Sequence, residues 1–180
     1  MNSEDIFDKN YDVASISNLI TSLKQKDSQT YPKAISILCK LGKPAVSPLI
    51  QVLQAEDKDL RYLAAKALEK IGKPAVRPLI EELGNNNSSI RICVVETLGK
   101  IGDTQAVNSL ISTLMDDKEE EIIREYAVYA LENIGKPALK PLIGVLKDLD
   151  DSGAVAPLMA AAHYNNEVVR SKAIDSLEKA

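Results

Sequence analysis

His163 is the only histidine of the chain, and Cys39 and Cys93 are its only cysteines. A structural zinc takes four protein ligands and a catalytic one three. No second histidine and no cysteine stands at ligand spacing from His163. His163 therefore reads as a polar residue near a helix end rather than as a ligand. A thiol or hydroxyl nucleophile needs a positioned base, usually a histidine. Neither cysteine has one nearby in sequence; they lie on separate helices, and Cys39, at a partly exposed position, reads as a spare thiol. Gly42-Lys43 and its copies look like a fragment of a phosphate-cradling loop, but the Gly-x-x-x-x-Gly-Lys-Ser/Thr frame is missing. The run Asp116-Asp117-Lys118-Glu119-Glu120-Glu121 lacks the oxygen pattern and central glycine of a calcium loop. It reads as a solvated helix start favoured by the helix dipole. No catalytic, cofactor-binding or metal-ligating residue is assigned, and the chain is expected not to be an enzyme.

The elements behind these residues follow from composition and period. The chain has 180 residues, with 22 Lys and Arg against 26 Asp and Glu, a net charge of −4. Sequence-independent nucleic-acid binding needs a basic stripe, so the net charge argues against nucleic acid as a partner. An anionic membrane surface is disfavoured for the same reason. No apolar run approaches the roughly 20 residues that span a bilayer. The acidic start, MNSEDIFDKN, has no basic segment leading into an apolar one, so no secretory signal is read there. Two distant cysteines do not make a disulfide framework, and a cytoplasmic location is expected. With no Trp and one Phe, the core must be built from Leu, Ile, Val and Ala, which suits thin helical layers.

A repeat organises the chain. Leu41-Gly42-Lys43-Pro44-Ala45-Val46-Ser47-Pro48-Leu49-Ile50 recurs from Ile71 to Ile80 and again from Ile134 to Ile143, and more loosely from Ile101 to Ile111. The glycines at 42, 72, 102 and 135 are 30, 30 and 33 residues apart. One extra residue after Gly102 and two in the loop around Asp116–Glu121 account for the longer step.

Each unit divides into two helices. The first, here the arginine helix, carries Arg61, Ala64, Leu68 and Ile71, then Arg91, Val94, Leu98 and Ile101, then Arg124, Ala127, Leu131 and Ile134. Steps of three and four put each set on one helical face. Glycine ends this helix in a left-handed C-cap. Pro44, Pro74 and Pro137 then open the second, or proline, helix, in the first turn where the missing N–H costs nothing. Asp57, Asn87 and Asp116 are candidate N-caps of the next arginine helix. Eleven helices are expected, six of proline type and five of arginine type.

Both ends are irregular. Ile16, Leu19, Ile20 and Leu23 match a proline helix with no arginine helix before it. In the next helix, over 30–41, Tyr31 takes the arginine position. Leu142 and Leu158 mark two proline-type helices only 16 residues apart, separated by the turn Asp150-Asp151-Ser152-Gly153. One helix is missing there. The parity of everything downstream is then reversed: a helix over about 153–163 takes an arginine-type slot, and the last, about 166–179, falls on the other layer. The domain organisation expected is a flexible segment 1–10 and one repeat domain over 11–180, with a capping hairpin at about 150–180.

The repeated string Val/Ile-Arg-x-x-Ala-x-x-x-Leu-x-x-Ile-Gly-Asp/Lys-Pro-x-Ala-Val-x-Pro-Leu-Ile-x-x-Leu resembles the short HEAT repeats of the phycobilisome-lyase type, over about residues 12–180. The resemblance implies an all-α fold, a right-handed α-α superhelix (solenoid) of stacked helix hairpins. It implies arginine helices outside and proline helices lining a concave inner face. It also implies an Asp after the glycine that pairs with a neighbouring arginine. Only Asp103 keeps that Asp; Lys43, Lys73 and Lys136 replace it elsewhere, so the arginines are expected to bond carbonyls or loop acids instead. Deoxyhypusine hydroxylase, another HEAT-type family, holds iron with several His-Glu pairs, and this chain has none.

If proline helices line the inner face, the positions between their buried residues meet the partner. The candidate partner-binding residues are Ser47 and Gln51, Arg77 and Glu81, Asn108 and Ser112, and Lys140 and Lys147. Their charge is mixed and they include no aromatic, which suits a protein or peptide. The function expected is a non-catalytic protein-interaction scaffold. Two alternatives stand beside it: a lyase or chaperone-like helper for a tetrapyrrole-bearing protein, implied by the resemblance alone, and nucleic-acid binding.

Overall fold

The computed structural model describes residues 13–24, 31–148, 160–161 and 163–177. Within them lie ten α-helices: α1 (Val13–Lys24), α2 (Tyr31–Leu41), α3 (Lys43–Leu53), α4 (Lys58–Ile71), α5 (Lys73–Glu81), α6 (Ser88–Ile101), α7 (Val107–Met115), α8 (Glu121–Ile134), α9 (Lys136–Asp148) and α10 (Glu167–Leu177). Single 3₁₀ turns at Glu82–Gly84 and Thr104–Ala106 complete the set. No strand occurs among the described residues. The loose segment expected at 1–10 lies outside them.

The helices form two layers. The arginine helices α2, α4, α6 and α8 pack in series, and the proline helices pair as α1 with α3, α3 with α5, and α7 with α9. Each proline helix also packs on the arginine helix that follows it, as in α3 with α4 and α7 with α8. The core is the thin seam between layers: Leu38, Leu49, Leu53, Leu68, Leu79, Leu98, Leu110, Leu114, Leu131 and Leu142 are all fully buried. This is the all-α solenoid that the period implies.

The punctuation differs from expectation in one respect. Gly102 is left-handed, at φ 71° and ψ 16°. Gly42, Gly72 and Gly135 instead have φ between 65° and 77° with ψ between −125° and −138°. That mirror-image extended region is open to glycine because it lacks a Cβ. The reason is the following Lys-Pro, which starts the next helix at once, so a single residue must turn the chain. After Gly102 the 3₁₀ turn shares that work.

Pro48, Pro78 and Pro141 lie inside α3, α5 and α9. Each removes the hydrogen bond to the carbonyl four residues earlier. Those carbonyls belong to Pro44, Pro74 and Pro137, which are solvent-exposed. Water can therefore satisfy them.

Asp57 caps α4, accepting from the Asp59 and Leu60 amides, and Asn87 caps α6, accepting from Ser89. Asp116 does not cap α8. It accepts from Lys118 N in a turn, and Glu120 stands at the N-cap without a side-chain bond. The two inserted residues moved the helix start away from Asp116.

The arginines bind the loop that ends the preceding proline helix. Arg61 donates to the Ala55 and Glu56 carbonyls at 2.6 and 3.1 Å. Arg124, only 6% exposed, donates to the Asp116 and Glu119 carbonyls. Arg91 donates to Asn85 O at 2.8 Å and grips both oxygens of Glu119 at 2.9 and 2.7 Å, joining one repeat to the next. Asp103, the one Asp in the family position, accepts from Gln105 N instead. An arginine fork on a mostly buried carboxylate is among the stronger polar contacts. Arg91→Ala is expected to cost about 1–3 kcal/mol in denaturant unfolding, because it strands that carboxylate and the Asn85 carbonyl.

At the C-terminal end the regular arrangement changes in where the last helix starts. Ala160 and His163 lie beside Glu125, Val128 and Tyr129 of α8, an arginine helix. The helix α10, whose Arg170 and Ala173 follow the arginine-type pattern, packs on α9, a proline helix. Its start, at Asn165 and Asn166, adjoins Glu132, Gly135 and Lys136, so α10 begins at the edge where α9 begins. Arginine helices elsewhere begin at the edge where the preceding proline helix ends, as the Arg61 bonds record. The helix expected over 153–163 lies mostly outside the described residues.

Candidate functional site

Of the eight residues the sequence offered, Ser47, Gln51, Arg77, Glu81, Asn108, Ser112 and Lys140 are exposed on α3, α5, α7 and α9. They share the outer surface of the proline layer. The Lys147 side chain lies outside the described residues.

The outer surface of the arginine layer carries features the sequence reading passed over. Tyr62 of α4 and Tyr129 of α8 are 59% and 61% exposed. Both sit off the apolar stripe of their helices, and an aromatic at a position outside that stripe was the signal available. Between α4 and α6 runs a groove of about 200 Å³. Tyr62, Ala65, Cys93 and Thr97 line it together with the charged Lys58, Arg61, Lys66, Glu69, Glu96 and Lys100. Lys66 bonds Glu69 at 3.0 Å, and its ammonium lies 6.0 Å from the centre of the Tyr62 ring. The Glu69 bond holds the Lys66 ammonium protonated above the ordinary lysine range. Lys100 pairs with Glu96 one turn away. A smaller groove of about 110 Å³ lies beside α8, among Glu125, Val128, Tyr129, Ala160 and His163.

The arginine helices pack on one another more extensively than the proline helices do. A Cβ added to Gly99 of α6 would stand 2.6 Å from Ala130 Cα and 2.7 Å from its Cβ. The backbones of α6 and α8 are thus in contact, with no room for a side chain between them.

The thiols are muted. Burial raises the Cys39 thiol, against a smaller lowering by Lys70, and burial also raises Cys93, aided by Glu96. Both shifts reduce the thiolate fraction at neutral pH, the reverse of an activated nucleophile. Cys39 Sγ lies 3.7 Å from the Ala67 carbonyl. Tyr164, 2% exposed, is pushed up to about 12 by burial and by Glu132. Among the described residues, no group of three or more His, Cys, Asp or Glu could hold a metal ion. None of their helices is long and apolar enough to cross a membrane.

Stacked hairpins with two ribbed outer surfaces define an all-helical repeat protein. The chain belongs to the HEAT repeat family, whose family model matches residues 16–91 and 47–132. Among curated proteins no match was found. Among solved structures the chain is similar to an engineered protein, with 19% identity, 92% of this chain and 79% of that one covered, and a TM-score of 0.43. It is similar to human deoxyhypusine hydroxylase in complex with glycerol, at 21% identity, 94% and 75% coverage and a TM-score of 0.47. It is also similar to a designed armadillo repeat protein in complex with the peptide (KR)4, at 22% identity, 91% and 90% coverage and a TM-score of 0.42.

Proposed function

We propose that the chain is a non-catalytic scaffold that binds another protein, or a peptide of one, across the outer surface of its arginine layer. The carrying observation is the pair of exposed tyrosines, Tyr62 and Tyr129, each standing on a groove of that layer. Tyrosine supplies a large contact area with few rotatable bonds and recurs at the energetic centres of interfaces. The contact of Gly99 with Ala130 supports the same choice. A stack bends toward the layer whose helices approach most closely, which favours a concave side on the arginine helices rather than on the proline helices. The extended inner surface of such stacks is where repeat proteins engage partners.

The row of exposed residues on the proline layer is a second reading, favoured by the exposure of all seven described members. Capture of a partner from the source cell, then binding assays with two double variants, separates the two. Tyr62→Ala/Tyr129→Ala is expected to weaken binding by about tenfold or more, with the melting temperature nearly unchanged because both rings are exposed. Arg77→Glu/Lys140→Glu is expected to leave it unaltered. The opposite pattern would move the site to the proline layer, and indifference to both would sink the scaffold reading for these surfaces.

A further inference from the structure

We propose that the groove between α4 and α6 seats an acidic peptide segment of the partner protein. The proposal rests on the scaffold reading and names the chemistry of what that surface takes. Lys58, Arg61, Lys66 and Lys100 line the groove against Glu69 and Glu96, a local charge of +2 in a chain of net −4. Arg61 spends its hydrogen bonds on neutral carbonyls, which leave its charge in place. Lys66 and Lys100 are held along the groove walls by Glu69 and Glu96 rather than swinging free. Held cations lose less side-chain entropy on binding than free ones.

Size and spacing choose a peptide. Pockets for small molecules run to about 300–1,000 Å³. This groove holds about 200 Å³ and is open, enough for one or two side chains of a longer segment. Lys58 and Lys66 are eight residues apart on one helix, so their anchor points lie about 12 Å apart. An extended chain covers that in about four residues at 3.3 Å each. Acidic side chains at that interval, with an apolar one between them over Tyr62, match the groove. The charge then changes sign along the layer: Glu121, Glu125 and Glu132 stand on α8. That rim confines the acidic stretch to α4 and α6. It also opposes a nucleic-acid strand, whose charge is continuous.

The probe is a fluorescein-labelled peptide of about twelve residues, with glutamates about four apart and leucine or phenylalanine between them. Its controls are the same peptide with lysines and a labelled oligothymidylate, all followed by fluorescence anisotropy at low salt. The acidic peptide is expected to bind at least about tenfold more tightly than the lysine peptide or the oligonucleotide. Lys58→Glu/Lys66→Glu should abolish that preference, while Arg77→Glu/Lys140→Glu should not. A glutamate at 58 falls in the first turn of α4, where the dipole favours it, so folding is preserved. Tyr62→Ser, which leaves the charges intact, should weaken the peptide as well. Equal binding of the acidic and basic peptides would overturn the proposal, as would tighter binding of the oligonucleotide. So would an acidic peptide indifferent to the lysine reversal. If the captured partner is lost by Tyr62→Ala/Tyr129→Ala while the acidic peptide fails to bind, the scaffold stands and the acidic partner class falls. If neither responds, both fall.

Discussion

Leu98→Ala is expected to destabilise the protein by about 2–5 kcal/mol, read as a drop in the denaturant midpoint. Leu98 is fully buried on α6, which packs on α4, α5 and α8. In a stack the repeats hold each other chiefly through neighbour interfaces, so a cavity at the middle helix loosens both halves. The neighbouring helices are themselves tied by close contacts and relax little into the space, which puts the cost above simple transfer. A loss below about 0.5 kcal/mol would mean that Leu98 does not face the core.

Gly99→Ala should also destabilise, by about 1–2 kcal/mol net, although helix propensity alone favours Ala by about 1 kcal/mol. The new methyl would stand 2.6 Å from Ala130 Cα, a backbone atom that can move only if α8 moves. Gly144→Ala in α9 is the control: nothing lies within 4 Å of its added Cβ. There the propensity gain is unopposed, and a stabilisation of about 0.5–1 kcal/mol is expected. The same substitution thus changes sign with the neighbour across the layer. If both variants moved the melting temperature upward, α6 and α8 would not be in backbone contact.

Much of the architecture was legible because it repeats. Arg61, Arg91 and Arg124 recur at one helical position, and the Gly-Lys-Pro punctuation recurs after three of the arginine-layer helices, at Gly42, Gly72 and Gly135, so the copies corroborate one another. The loss of the Asp after the glycine correctly implied that the arginines would turn to carbonyls and loop acids, as Arg91 does with Asn85 and Glu119. Asp116 misled because an insertion beside it uncoupled the capping residue type from the helix start. The interaction surface was the least legible part. Positions between buried residues exist on both layers, and periodicity marks them as exposed without saying which layer a partner meets.

The sequence by itself determined the helical class, the repeat length, the order of arginine and proline helices and the buried leucines. These depend on local turn chemistry and on apolar spacing, both readable one unit at a time. Only the tertiary structure decided that Gly99 lies on Ala130, that Tyr62 borders a cationic groove, and that α10 starts beside the start of α9. Each of these is a meeting of residues about 30 or more apart in the chain. Such a meeting is set by how closely one helix backbone can approach the next, and that distance is written in no single repeat.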